Sequence, residues 1–461
     1  NMLHLIKEVR DIERFNEIVS VLVEEGFDFL ITKINLGQFV PLGKKLRLKL
    51  KKKDDVKPEV MLRKTLERLG PTFIKFGQVL SVRPDLVPIS YSKELEKLQD
   101  KVEQFPFEKV KEIVEKDLGK KINELFRSFD KEPIASASIS QVHRAILKTG
   151  EKVAVKVQRP DVRKIMETDI EIMFYFAKLL EKYSEKLRDY RPVKIVSEFK
   201  QWTEKELDFR LEARNASRFR QNFQDSKTIY IPKVYDGWTS EKVLTLEFID
   251  GIDAHNVKEI KKSGIDFNMM LENGFYAVLT QVFVHGIFHA DPHPGNMIVM
   301  KNGYLAFIDF GIVGYFDEKL KNKCVDLVYG IVENDDELIM ETLVSLGMET
   351  GDINYEELRS DIGFIIQPLQ HSYMKDVKIS RVLEDVLETA LKHKLRLPAS
   401  LVLFGKTIIT LEGIALEYDP DFKIVESIMP FIEKLIMKRK NPIYIWKNMV
   451  HEVNKYRKFA E

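Results

Sequence analysis

Cysteine is nearly absent from this 461-residue chain, with Cys324 its single thiol; an internal disulfide is excluded, and nothing resembles a zinc or iron–sulfur ligand set. Net charge is nearly absent as well. The 73 Lys and Arg face 72 Asp and Glu, so no overall field argues for nucleic acid. Uninterrupted apolar runs of eighteen residues are lacking, and the start has no secretory signal; the chain as given is expected to hold no transmembrane helix. Apolar residues are plentiful at 44%, enough for the cores of two or three domains. A charged fraction of 31%, rich in Lys and Glu, suits a thermophilic source.

One constellation stands out. His289-Ala290-Asp291-Pro292-His293-Pro294-Gly295-Asn296 is followed by Asp309-Phe310-Gly311. Phosphoryl transfer asks a protein for a carboxylate that orients the attacking hydroxyl or water, and for hard oxygen ligands that hold Mg²⁺ on the phosphates. Asp291 suits the first role, Asn296 and Asp309 the second. Met297–Met300 and Tyr304–Ile308 flank Lys301-Asn302-Gly303, and Asn-Gly favours a tight hairpin reversal. Antiparallel pairing would set Asn296 and Asp309 side by side, which suits Mg²⁺ when phosphates and water complete its shell. Asx turns alone would account for Asp291 and Asn296, but turns do not require the later D-F-G.

Upstream, Lys152 to Gln158 alternates around Lys156 after a turn at Thr149-Gly150, the pattern of a strand lysine that contacts α- and β-phosphates. Such a lysine needs an acid on a nearby helix. Residues 198–223 read as one continuous helix with Glu206, Asp208 and Glu212 in its middle. Spacing does not choose among the three, and each also suits a solvated helix face.

Four signatures, Lys75-Phe76-Gly77-Gln78, the loop Ala135-Ser136-Ala137-Ser138, Glu206-Leu207-Asp208, and the H-x-D with D-F-G, together resemble the UbiB (aarF-domain) family of atypical protein-kinase-like proteins. They span about residues 60 to 315, and the tract Pro71 to Gln78 with Ser81, Arg83, Pro84 and Asp85 is the most discriminating. The resemblance implies an α+β, protein-kinase-like two-lobed fold with a helical N-terminal extension and a helical C-terminal region. It implies ATP or ADP with Mg²⁺ as cofactors. In that arrangement Asp291 is the catalytic acid, Lys156 and Glu212 form the phosphate-orienting pair, and Asn296 and Asp309 hold the metal. Ala135, Ser136, Ala137, Ser138, Ile139 and Ser140 would lie over the phosphates, with Glu247 beside adenine. Lys75 and Gln78 would belong to an extension folded over the cleft as a built-in lid, Lys75 pairing with Glu206 and Asp208.

Departures from ordinary kinases narrow the chemistry. The stretch Ile134 to His143 has no glycine, whereas kinases use glycine to bring backbone N–H groups close to phosphate; a stiffer loop is expected. Ser136 stands where the family commonly has alanine and Ser140 where it commonly has glycine. Their hydroxyls, with that of Ser138, are expected to bond phosphate oxygens or cap the turn. Ala290 replaces the arginine of H-R-D and no A-P-E follows Gly311, so the link to a phosphorylated activation segment is missing. Phosphorylation of proteins in trans is therefore disfavoured.

The chain is expected to divide into an N-terminal helix and basic linker (1–55), a helical family-specific extension (56–130), an N-lobe with inserted helices (131–250), and a helical C-lobe with C-terminal helices (251–461). A hinge is expected near Glu247 to Gly251, and turns at Leu395–Pro398 and Asp419–Pro420. Lys44 to Lys53 carries seven cations in ten positions; it suits either anionic lipid, at about 1 kcal/mol per cation, or a solvated linker. Pro442 to Tyr456, with Tyr444, Trp446 and Lys447, is a second interfacial candidate. Bacterial members of the family commonly carry a C-terminal membrane hairpin beyond the kinase-like domain, whereas this chain stops at Glu461; either that anchor has been removed or this member lacks it. The expected placement is cytoplasmic, with peripheral contact at the inner face of the membrane.

The function so implied is Mg²⁺-dependent ATP hydrolysis or phosphoryl transfer in support of isoprenoid-quinone (ubiquinone-type) or related lipid biosynthesis, with an isoprenoid lipid or quinone precursor as partner. One alternative is a small-molecule kinase of the aminoglycoside or choline kinase type, whose catalytic loop resembles His289 to Asn296 but which lacks the Lys75-to-Gln78 tract. Another is a nucleotide-gated lipid-binding scaffold without turnover, which would have no need of Asp291.

Overall fold

The computed structural model describes residues 11–33, 57–98 except 82, 84 and 85, and 103–440 except 189, 334, 350 and 372–377. The basic run 44–53, the candidate segment 442–456 and Pro84-Asp85 lie outside the described residues. The chain splits into two compact units, Asn1–Arg218 with Pro232–Phe248, and Phe219–Ile231 with Ile249–Glu461.

The first unit is built on an antiparallel sheet of β1 (Phe126–Phe129), β3 (Ser140–Leu147), β4 (Lys152–Gln158) and β6 (Val243–Glu247), in that order, with β2 (Ala135–Ser136) paired to β3. Strand alternation sorts β4 by face: Val153, Val155 and Val157 are fully buried, which puts Lys156 on the opposite side. The buried valines pack with Phe105, Phe126, Leu147 and Val243 against Val110 and Val114 of the helix Phe107–Leu118. Pro106 stands at the N-cap position of that helix without a side-chain cap, and Gly119, at φ 70°, ends it in the left-handed conformation glycine tolerates.

Further helices of the unit are joined by charge. Arg14, on the helix Ile12–Glu24, donates through Nε to Asp169 at 2.7 Å and through Nη2 to the Leu69 carbonyl at 2.6 Å. Asp169 is 1% exposed, a burial that a carboxylate sustains only when paired and hydrogen-bonded.

Two expectations need correction here. Residues 198–223 are not one helix: Pro192–Glu206 and Phe209–Asn222 are separate, with the break at Leu207-Asp208. Asp208 Oδ1 accepts from the Arg210 N–H at 3.1 Å, so its short side chain satisfies a donor of the new helix's first turn and starts it afresh. The stretch 56–130 is also not wholly helical, because β1 lies inside it and pairs with β3.

His143 on β3 is fully buried. Its Nδ1 meets the Asp130 carbonyl at 2.9 Å and its Nε2 meets the Gln141 amide nitrogen at 2.9 Å, a pattern that fits the neutral ring with its proton on Nδ1. Burial holds its pKa below the ordinary 6.5. The unfolded chain therefore takes up the proton first, and this contribution to stability, full above pH 6.5, is lost as pH falls through the lower folded value. Between about pH 7.5 and about pH 5.5, melting temperature should fall more for the native chain than for His143→Asn, which keeps a donor for the Asp130 carbonyl. Equal slopes in a pH series of thermal melts would contradict this.

The second unit holds the hairpin β9 (Met297–Met300) and β10 (Leu305–Phe307), with Phe307 opposite Met297. A short β5 (Ile229–Tyr230) runs parallel to β10, and β7 (Gly251–Asp253) pairs antiparallel with β9. Beside them β8 (Ile287–His289) pairs with β11 (Val313–Tyr315). Gly314 lies against the ring of Phe288, where a Cβ would collide with it. Phe288 is itself wedged against Phe316 and Phe404.

Beyond Asp317, whose carboxylate accepts from Leu320 N–H at 2.7 Å, the unit is mostly helical. Leu343, Leu358, Ile362, Leu395 and Val402 share one core there. Leu395-Arg396, expected as part of a turn, is instead strand β13, paired with β12 (Met348–Glu349). Among the described residues one helix, Ala399–Tyr418, is long and apolar enough by composition to cross a membrane, with mean hydropathy 1.6 and 39% of its window buried. Its Glu412 is 1% exposed and accepts from the Ile379 and Ser380 N–H groups at 2.9 and 2.6 Å, capping the start of the helix Ile379–Lys392.

Candidate functional site

In the first unit, Lys156 Nζ lies 3.0 and 2.9 Å from the two carboxylate oxygens of Glu212. The side chains are 18% and 7% exposed. Phe209, one turn before Glu212, places its ring 5.4 Å from the ammonium. The helix break at Leu207-Asp208 thus sets the phase in which both Phe209 and Glu212 face β4.

The helix Pro71–Ser81 packs within the same unit. Its Lys75 pairs with Glu206 at 2.5 Å and lies 5.0 Å from the ring of Trp202, while Phe76 meets Phe199 edge-on. Gly77 leaves room for Leu98 and Leu66, which an added Cβ would strike. Asp208 departs from expectation by pairing with Arg210, through Nε at 2.7 Å and Nη2 at 2.9 Å. Gln78 is half-buried, and its carbonyl accepts from the Ser81 hydroxyl. Glu247 closes β6 opposite Val153, its carboxylate accepting from Lys233 N–H at 3.1 Å.

The glycine-free loop is a tight reversal. Ala135 and Ser136 pair with Val142 and Gln141, and Ala137 N–H donates to the Ser140 carbonyl at 2.8 Å. Ser138, Ile139 and Ser140 are buried. The Ser136 hydroxyl accepts from Arg159, and the Ser138 hydroxyl makes no hydrogen bond among the described residues.

In the second unit, Asp291 follows β8 and Asn296 directly precedes β9. Asn296 donates its amide hydrogens to the Asp291 carbonyl at 3.1 Å and to Asp291 Oδ2 at 3.0 Å. With its nitrogen so engaged, the amide must present oxygen elsewhere, and that Oδ1 makes no hydrogen bond among the described residues. Ile308 N–H donates to the Asn296 carbonyl at 3.0 Å, and Asp309 Oδ1 accepts from Gly311 N–H at 2.9 Å. An amide oxygen and a carboxylate at neighbouring strand ends form a hard-oxygen donor set, and such a set fits Mg²⁺.

His289 is a structural element of this loop. It is 1% exposed, its Nδ1 accepts from Asp291 N–H at 3.3 Å, and its Nε2 contacts the Asp309 carbonyl. Burial lowers its pKa first, against the raising effects of Asp291 and Asp309. The neutral ring with its proton on Nε2 thereby links the two segments that carry the acids. Phe310 is buried between His289 and Phe219.

One residue of this loop escaped the sequence reading. Gln281 is fully buried and its Oε1 accepts from His289 N–H at 2.9 Å. It opens a single π-helical turn, Gln281–His285, a geometry that concentrates at functional sites. Its signal is a lone amide within the apolar run Phe275 to Val284.

Residues 97–343 match the ABC1 atypical kinase-like domain, and residues 362–423 match the UbiB helical domain. A relative from Pseudomonas paraeruginosa named "Probable protein kinase UbiB" is 35% identical over 85% of this chain and 74% of its own length. An uncharacterised protein of Synechocystis is 37% identical over 86% of this chain and 67% of its own. The structure of the Rv3197–erythromycin complex from Mycobacterium tuberculosis aligns with a TM-score of 0.51 at 24% identity, over 75% of this chain and 92% of that one, and shares the fold. An α+β kinase-like domain followed by a helical C-terminal region, with the matching sequence over most of its length, makes this chain a member of the UbiB family of ABC1 atypical kinase-like proteins.

Proposed function

We propose that the chain binds ATP with Mg²⁺ and uses Asp291 to direct a hydroxyl or water onto the γ-phosphate, in support of isoprenoid-quinone or related lipid biosynthesis at a membrane surface. The reading rests above all on Asn296, whose amide nitrogen is locked onto Asp291 while its oxygen is left for a cation. Asn296 and Asp309 would hold the ion, which supplies charge neutralisation on the phosphates when bound. Lys156, held by Glu212, would contact the α- and β-phosphates. Ser136, Ser138 and Ser140 would lie over them, and Glu247 would meet adenine.

Asp291 accepts the proton of the attacking oxygen as that oxygen bonds to the γ-phosphorus; the bond to the β,γ-bridging oxygen breaks, and ADP leaves. Asn296 keeps the Asp291 carboxylate in one orientation through Oδ2, so that Oδ1 is the atom that takes the proton. Lys75, Gln78, Glu206 and Asp208 would govern access as a regulatory lid. A lipid or quinone precursor is the proposed acceptor or effector, in keeping with the family's name and the basic run 44–53.

Phosphate release from MgATP, measured with and without anionic liposomes, tests the proposal. Asp291→Asn should lower it by about a hundredfold, the lower end of what a general base contributes. Release that does not depend on Asp291 under either condition would replace turnover with a nucleotide-gated scaffold.

A further inference from the structure

Arg159 is the first residue after β4 and plays no part in the chemistry above, yet it binds the glycine-free turn at three successive points. Its N–H donates to the Ile139 carbonyl at 2.8 Å, its Nε to the Ala137 carbonyl at 2.9 Å, and its Nη2 to the Ser136 hydroxyl at 2.9 Å. The guanidinium lies 5.5 Å from the ring of Phe105. Phe105 is fixed in turn by the Gln141 side chain, which accepts from its N–H at 3.1 Å and donates to its carbonyl at 3.2 Å. Gln141 belongs to β3 and pairs with Ser136, so the ring beneath Arg159 is anchored to the same loop that Arg159 holds.

The turn needs such an anchor. Within it, the backbone bond from Ala137 to Ser140 closes the reversal, and the buried Ser138 hydroxyl has no partner among the described residues. A planar fork spans an adjacent carbonyl and hydroxyl, whereas an ammonium on a flexible stem does not reproduce that span. The neighbouring positions of β4 have parallel duties: Lys156 grips Glu212, and Gln158 donates to the Leu207 carbonyl at 3.0 Å, at the break that phases the Glu212 helix. One strand end therefore fixes the lysine, the helix and the loop.

We propose that Arg159 is a positioning residue that holds the Ala135–Ser140 loop in its folded shape and, through that shape, sets nucleotide affinity. The first half stands on the loop alone; the second rests on the nucleotide reading above.

Two measurements on the full chain separate them. Hydrogen exchange of residues 136–140 should quicken by about tenfold or more in Arg159→Gln and in Arg159→Lys, with β1 and β6 amides unchanged, because the lost bonds are charge-assisted. Ser136→Ala, which removes one acceptor, should quicken it less. The KM for MgATP should rise by about tenfold in both Arg159 variants while kcat stays within about twofold, the pattern of lost uniform binding. Unchanged loop exchange, or equal quickening across the whole sheet, would overturn the anchoring role. A loosened loop with an unaltered KM would overturn the link to affinity. A native chain that does not bind MgATP would sink the nucleotide reading and leave the exchange result to decide the anchoring role.

Discussion

Thermal stabilisation by MgATP should disappear when Asp309 is replaced by Asn. The substitution is nearly isosteric, and it spares two contacts of Asp309 within its loop: the backbone carbonyl still meets His289, and a side-chain oxygen can still accept from Gly311 N–H. What is lost is the negative charge. In the native chain, ligand at about a hundred times its Kd should add about 2.7 kcal/mol of stability, worth about 2–4 °C per kcal/mol in a unit of this size. The variant should melt at the same temperature with and without MgATP, and its phosphate release should fall by about a thousandfold, as befits several kcal/mol of lost charge stabilisation. Undiminished MgATP stabilisation of Asp309→Asn would refute the metal assignment.

Glu212→Leu should cost stability as well as nucleotide binding. Breaking a buried ion pair leaves the surviving charge poorly solvated, at about 3–5 kcal/mol. Lys156 keeps 18% of its side chain exposed, which places the expected loss near the lower figure, about 3 kcal/mol, and lowers the melting temperature by about 6–12 °C. Adding Lys156→Met to this variant should recover much of the loss, because two apolar side chains then replace two charges. MgATP binding should stay absent in both variants. If the double variant is less stable than Glu212→Leu, the pair is not the stability element its burial indicates.

The parts of the fold that were legible in the sequence are those fixed by near neighbours. The hairpin at Lys301-Asn302-Gly303 and the strand around Lys156 follow from turn chemistry and from an alternation of period two, and both are present. The break at Leu207-Asp208 was missed because no proline or glycine marks it. Its cause is a single aspartate acting as a cap, in a stretch so charged that another acid carries little signal. Strands β1 and β13 were missed for a different reason: segments of four and two residues are too short to display a period, and partners elsewhere in the chain decide them.

The same limit governs the candidate site. Spacing left Glu206, Asp208 and Glu212 equivalent, and the family resemblance singled out Glu212, the acid that lies on Lys156. Gln281 and Arg159 carry no motif at all. Each supports a neighbour through bonds that only the folded chain brings together.

The Ala135–Ser140 loop also has a thermodynamic consequence. Glycine loses more conformational freedom on ordering than any other residue, and a flexible phosphate loop must give up that freedom each time a ligand arrives. Here the disorder is surrendered during folding, when Ile139 and Ser140 are buried. If the loop lies over the phosphates as proposed, a ligand meeting so rigid a cradle would incur little further entropy loss, but the cradle would adapt poorly to a phosphate chain of a different length.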